Sequence, residues 1–231
     1  MPRRGEIIVF LGPTGVGKST IIKYLVQALR IRGFKVSTMF IKAYHGPAYV
    51  LWVLAAKLLG IKKSYAPWFV IPSILYNKKL ARVLATISAY LDAFINVPVK
   101  ILLILLFKLL GYTVIIEEYI PATVLDYVLS HIDLGSRVKL PLKVLYVLGI
   151  RHKPNVVVFL SAPVCCLRLR WSIRSKGDPN LKYVLLQLYK LPDLCSTMGY
   201  YTIKVNTEFQ RPINTLVQVL NFLHYDKGLS P

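Results

Sequence analysis

An α/β protein built on a parallel sheet is what this sequence predicts, and three observations carry the expectation. Short β-branched and apolar segments alternate with segments of helical periodicity along the whole chain. Between the first strand and the first helix stands Gly12-Pro13-Thr14-Gly15-Val16-Gly17-Lys18-Ser19, a full match to the phosphate-binding pattern G-x-x-x-x-G-K-[ST]. Further on, the apolar strand Tyr112 to Glu118 stops on two adjacent carboxylates.

The elements follow in order. Glu6 to Leu11 reads as a short buried strand, and Thr20 to Arg32 places Ile21, Ile22, Leu25, Ala28 and Leu29 on one helix face. Phe34 to Ile41 is a second strand after the Arg32-Gly33 stop. Pro47 to Gly60 is helical, and Lys62 to Pro72 is an irregular connection. Ser73 to Asn96 is a helix through Leu80, Leu84, Ile87 and Leu91, and Pro98 to Leu110 is another, ended by Gly111. After the strand at Tyr112, Leu125 to Gly149 is mostly helical with interruptions near Gly135 and Pro141. Asn155 to Ser161 is a strand, Pro163 to Arg174 a helix, and Ser175 to Pro179 a polar break. Leu181 to Met198 is a helix bent near Pro192, Tyr200 to Val205 the last strand, and Pro212 to His224 the last helix. In such a sheet ligands collect at the carboxyl ends of the strands, which places the Gly-rich loop, Glu117, Glu118 and Ser161 at one rim.

At 231 residues the chain fits one α/β domain, 1–231, with a lid around 171–182. It is 55% hydrophobic with a mean hydropathy of +0.52. No run reaches the roughly 18 to 20 uninterrupted apolar residues of a membrane span, and the chain enters its first strand too early for a signal peptide, so a cytoplasmic protein is expected. Cys165 and Cys166 are adjacent and Cys195 stands alone, which argues against a disulfide framework or a zinc site. Thirty Lys and Arg against ten Asp and Glu give a formal charge of +20, an attraction toward polyanions or a device that keeps a greasy surface soluble.

The residue types at the rim suit phosphate chemistry. Glycines let the loop curl with its N–H groups inward, and the helix N-terminus adds partial positive charge. The cofactor-binding residues are therefore Gly12, Pro13, Thr14, Gly15, Val16, Gly17, Lys18, Ser19 and Thr20. Lys18 can reach the β- and γ-phosphates of ATP, and the Ser19 hydroxyl can hold Mg²⁺. Of Glu117 and Glu118 one should face the phosphates, since side chains alternate along a strand, and there it would hold Mg²⁺ or position a nucleophile. Arg168, Arg170, Arg174 and Lys176 gather around the polar break, where cations could close over a triphosphate or merely coat a helix. Tyr44-His45-Gly46-Pro47 ends the second strand and could stack on a base or simply punctuate a loop. His131 and His152 are left structural.

On the Gly12–Ser19 loop, Val114-Ile115-Ile116-Glu117-Glu118-Tyr119, Val156 to Leu160 with Pro163 opening a helix, and Ile203-Lys204-Val205 before the last helix, the chain resembles the thymidylate kinase-like branch of the nucleoside monophosphate kinases. The resemblance implies a P-loop NTPase three-layer sandwich with a five-stranded parallel sheet of order 2-3-1-4-5 and a helical lid. It implies a phosphotransferase using ATP and Mg²⁺, with Lys18, Glu117 and Arg174 catalytic and Ser19 and Glu117 on the metal. The family's strand ends Asp-Arg-Tyr; here Glu118 replaces the Arg that grips the acceptor phosphate. Its Arg-Glu-Pro-Gly-Gly segment is replaced by Ala43-Tyr44-His45-Gly46, and its Asp after the fourth strand by Ser161. The donor half of the site matches and the acceptor half departs, so the acceptor stays open among nucleotides, nucleosides and related compounds.

A non-kinase P-loop ATPase or nucleotide-dependent regulator is the competing expectation. The partners are a nucleotide donor and a small-molecule acceptor, with a homodimer and an anionic membrane surface as further ones. Tyr49 to Ile61, Pro98 to Leu110 and Val138 to Lys153 mix apolar faces with Lys and Arg, as interfacial helices and as core helices do. Nucleic acid has only the net charge in its favour.

Overall fold

Five strands pair into one all-parallel sheet in the order β2-β3-β1-β4-β5: β1 (Ile7–Leu11), β2 (Val36–Phe40), β3 (Thr113–Glu117), β4 (Val156–Ser161) and β5 (Thr202–Asn206). The computed structural model describes residues 5–61, 67–75, 78–173, 181–208 and 211–223. The order is the one the resemblance implies. Position in the sheet explains composition. β1, β3 and β4 are central and buried on both faces, so they are nearly unbroken apolar runs. The edge strand β5 alternates, with Ile203 and Val205 inward and Lys204 and Asn206 outward.

The described chain groups into two compact units. The first (Met1–Phe40, Leu103–Tyr119 and Lys153–Pro231) contains the sheet. Its helices are α1 (Lys18–Ile31) and, late in the chain, Val164–Ile173, Leu181–Thr197 and Pro212–Phe222. Ile8, Phe10, Ile115, Val158 and Leu160 form one face of the sheet's core, and α1 buries Leu25 and Leu29 in the same cluster as Val219 and Leu220 of the last helix. Each such side chain contributes about 1.5–3 kcal/mol through burial.

The second unit (Ile41–Leu102 and Ile120–His152) is helical. It contains α2 (Pro47–Leu58), α3 (Pro67–Ile74), α4 (Lys79–Leu91), the π-turn Asp92–Asn96, the start of α5 (Val97–Leu109), α6 (Ile120–Leu134) and α7 (Lys139–Arg151); the late helices of the first unit are then α8, α9 and α10 in chain order. Three expectations change here. α4, the π-turn and α5 form one helix, Lys79–Leu109, of 31 residues, long and apolar enough by composition to cross a membrane, where a break at Pro98 and no such length were expected. The π-turn is the physical reason: Val97 N–H donates to Asp92 O, five residues back, and the widened turn precedes the proline ring that would otherwise crowd an α-helical carbonyl. Residues 67–74 are helical rather than irregular, with Pro67 opening the helix, while 62–66 lie outside the described residues. Pro141 sits in the first turn of α7, whose N–H groups have no intrahelical partner, so it interrupts nothing.

The centre of the second unit is Asp92, fully buried in the π-turn. Tyr127 Oη donates to its Oδ2 at 2.5 Å, Tyr44 N–H to the same oxygen at 2.8 Å, and Asn96 Nδ2 to its Oδ1 at 2.9 Å. The Tyr44 ring packs on Trp52, Trp68 and Tyr127. Tyr44 holds φ at +62°, a strained value for a side-chain-bearing residue that these contacts over-determine. Burial outweighs the three donors and the charge of Lys100, and pushes the Asp92 carboxyl up to about 6.

The folded carboxyl therefore binds its proton more tightly than the unfolded one. Its share of stability is complete below the ordinary value of 3.8 and is lost as pH rises through about 6. The loss amounts to up to about 3 kcal/mol. Urea unfolding followed across that interval should show the decline, and Asp92→Asn should remove this component from the curve. An identical pH slope in the variant would rule out Asp92 as its source.

Candidate functional site

β1 ends at Leu11 and α1 begins at Lys18, and the residues between turn the chain in a loop whose three glycines hold positive φ, two of them against close neighbours. Gly12 holds φ at +140°, and a Cβ there would stand 2.2 Å from Leu160 O of β4. Gly15 holds φ at +89°, and a Cβ there would stand 2.7 Å from Trp171 Nε1. The loop is tied down from outside. Trp171 Nε1 donates to Thr14 O at 3.1 Å, and Thr14 N–H donates to Gln187 Oε1 at 3.1 Å. The first turn of α1 has neither a side-chain cap nor an acidic residue, so its N–H groups face outward as a positive terminus.

Lys18 is buried at 6% exposure. Its ammonium donates to Gly12 O at 2.7 Å and Pro13 O at 3.2 Å and pairs with Glu118 Oε1 at 2.9 Å. Ser19 Oγ donates to Glu117 Oε1 at 2.8 Å. Register produces both contacts: β3 lies beside β1 with Glu117 opposite Phe10, so the carboxylates arrive next to the loop that follows β1. Strand alternation would send only one of them there. Both reach it because the strand ends at Glu117, and Glu118 turns back with φ at +62° while its N–H donates to Phe10 O at 3.0 Å.

The donor chemistry fits Mg²⁺. Ser19 Oγ and the Glu117 carboxylate offer hard oxygens, and Glu118 Oε2 is a buried oxygen without a hydrogen-bond partner among the described residues. Among the described residues no group of three His, Cys, Asp or Glu is assembled for a metal, so an ion at this point would complete its shell with phosphate oxygens and water.

Arg170 takes a different place from the lid role expected for the arginine cluster. Its guanidinium donates to Val16 O and Thr207 Oγ1 at 3.2 Å, to Thr207 O at 2.6 Å and to Glu208 O at 3.3 Å. It is thereby committed to bracing the far side of the loop against the segment after β5. Arg174, Lys176 and most of the expected lid lie outside the described residues, and Arg168 is exposed. Tyr44 is buried in the aromatic core of the second unit rather than open for stacking on a base, and His45 Nδ1 lies 2.8 Å from Ala43 O. His131 Nδ1 lies 2.7 Å from Ser136 O, a loop-closing contact. The three cysteines are free thiols, and burial pushes that of Cys195 up to about 12.

Sequence reasoning missed Gln187, Trp171 and Thr207, which brace the loop from α9, α8 and the end of β5. Each lies more than 150 residues away along the chain, and only the exclusion of side chains at Gly15 hints that something packs there. No protein-family model matches the chain, and no curated protein matches it significantly. The α/β fold, its sheet order and the loop between β1 and α1 are consistent with the P-loop NTPases.

Removing the ammonium should strand a buried carboxylate. Lys18→Ala is expected to cost about 3–5 kcal/mol of folding stability. Adding Glu118→Gln should recover part of that loss, and a denaturant double-mutant cycle measures the coupling. Strict additivity would show that the pair does not stabilise the fold.

Proposed function

We propose that the chain is an ATP- and Mg²⁺-dependent phosphotransferase with a thymidylate kinase-like donor site. The observation that supports it most is the Ser19–Glu117 contact at 2.8 Å beside Lys18, at the mouth of a glycine-rich loop that ends in an uncapped helix. Loop N–H groups and the α1 terminus would hold the phosphate chain of the nucleotide. Lys18 would turn from Gly12 O and Pro13 O to the β- and γ-phosphates and offset the charge that gathers there during transfer. Ser19 and Glu117 would hold Mg²⁺, which when bound would supply positive charge to offset that of the phosphates. Phosphoryl transfer demands little beyond position and charge, so an acceptor oxygen set in line with the γ-phosphorus suffices. Arg174 remains the proposed lid cation.

Glu118 favours a second reading, a P-loop ATPase or switch without an acceptor. It occupies the position of the family's acceptor-binding Arg, and its charge is engaged by Lys18. A carboxylate paired with an ammonium offers a phosphorylated acceptor none of the attraction that an Arg would. The kinase reading therefore fits an acceptor that presents a hydroxyl better than one that presents a phosphate.

A panel of nucleosides, nucleotides and other alcohols, assayed for phosphorylated product and ATP consumption, separates the readings. Product with any acceptor supports the kinase, and acceptor-independent hydrolysis alone removes it. Lys18→Ala should abolish ATP turnover, and so should Lys18→Ala with Glu118→Gln, which keeps the site neutral. Unchanged turnover in the double variant would refute the donor site.

Glu117→Gln should retain the fold yet raise the Mg²⁺ concentration for half-maximal turnover by about tenfold or more, as loss of a charged ligand does. Ser19→Ala should act in the same direction. Equal Mg²⁺ dependence in all three proteins would remove these residues from the ion.

A further inference from the structure

The second unit carries a surface that nucleotide chemistry leaves unexplained. Along the helix that begins at Lys79, Val83, Ile87, Tyr90, Phe94, Val99 and Leu102 are 40% to 66% exposed. They are spaced by four, three and four residues, then five, then three. The step of five, from Phe94 to Val99, coincides with the π-turn Asp92–Asn96. In an uninterrupted α-helix it would swing the row by about 140°, whereas one π-turn brings it back to the same side. The insertion thus keeps an apolar row in line over about 28 Å.

The opposite side of the same helix is committed to the protein. Ser88 accepts from Trp52 Nε1 at 2.9 Å, and Asp92 and Asn96 are buried in the network with Tyr127. Spanning a bilayer would place those groups in hydrocarbon, so this helix can offer a membrane only its outer side.

Charge selects the occupant. The second unit has twelve Lys and Arg against three acids, Asp92, Asp126 and Asp133, and the first two of those acids are buried. Lys78, Lys79 and Arg82 lie at the start of the row, and Arg137 before α7 and Lys139 and Lys143 within it are exposed. A second copy would bring the same positive charge to the contact. A nucleic acid would satisfy the cations and leave the apolar row wet. A bilayer with anionic headgroups takes both, and Tyr90 stacked on Phe94 at 5.9 Å is an aromatic pair suited to headgroup depth.

We propose that the outer face of this helix is a docking surface for anionic membranes, on which the protein lies without crossing. The proposal is independent of whether the P-loop site is a kinase or an ATPase. Full-length protein should float with vesicles of equimolar phosphatidylglycerol and phosphatidylcholine at low salt. It should bind pure phosphatidylcholine vesicles far less, and high salt should weaken the anionic binding. Ile87→Glu with Phe94→Glu should lower the bound fraction about tenfold or more. Tyr201→Glu, at an exposed apolar position of the first unit, should leave it unchanged. Should the double variant fail to fold by circular dichroism, Phe94→Trp supplies a second readout: its added emission should be quenched by brominated lipid in the anionic vesicles. Absence of wild-type binding, binding insensitive to the Glu substitutions, or unquenched emission from the Phe94→Trp variant would overturn the proposal. So would self-association or nucleic-acid binding, without lipid binding, that is lost on Phe94→Glu.

Discussion

The pairing of β3 with β1 is the constraint on which the candidate site depends. Phe10 stands opposite Glu117, and the Glu118 N–H closes the ladder on Phe10 O. That hydrogen bond sets where β3 stops, and stopping there frees Glu118 to turn back on a left-handed φ. A register slipped by one residue would turn Glu117 from the loop, because successive side chains point to opposite faces. β3 is apolar on both faces, so the carboxylates at its end mark the register: a slip would carry Glu117 into the buried ladder or Ile116 out of it.

Two buried carboxylates are handled in different ways. Glu118 is neutralised by an ammonium and keeps one oxygen without a hydrogen-bond partner among the described residues. Asp92 is held by neutral donors instead. Tyr127, Asn96 and the Tyr44 backbone surround it, and burial raises its affinity for a proton. The first joins the glycine-rich loop to the end of β3. The second fixes a packing: it ties the π-turn to α6 and to the segment before α2.

Much of the loop was legible because its pattern is written in consecutive residues. Gly12, Gly15, Lys18 and Ser19 need nothing distant to define their roles, and the apolar strand before them and the periodic helix after them supply the local context. Glu117 was legible for a similar reason, as an acid at the end of a buried strand. The braces were not. Gln187, Trp171 and Thr207 look like ordinary helix and loop residues, and Arg170 like a lid cation, until the sheet brings β4 and β5 beside β1. The long helix was misread at Pro98 because a proline breaks an α-helix but follows a π-turn without conflict, and the extra residue that makes a π-turn leaves no local signature.

By itself the sequence determined an alternating α/β chain, a glycine-rich loop of the P-loop pattern and an acidic strand end, since each depends on neighbours within a few residues. The tertiary structure alone decided that both carboxylates reach the loop, that Arg170 braces it, and that Tyr44 is core. It also decided that one face of a 31-residue helix is buried while the other stays apolar and exposed. These outcomes depend on register, strand order and the burial of one helix face, which are set by contacts between residues far apart in the chain.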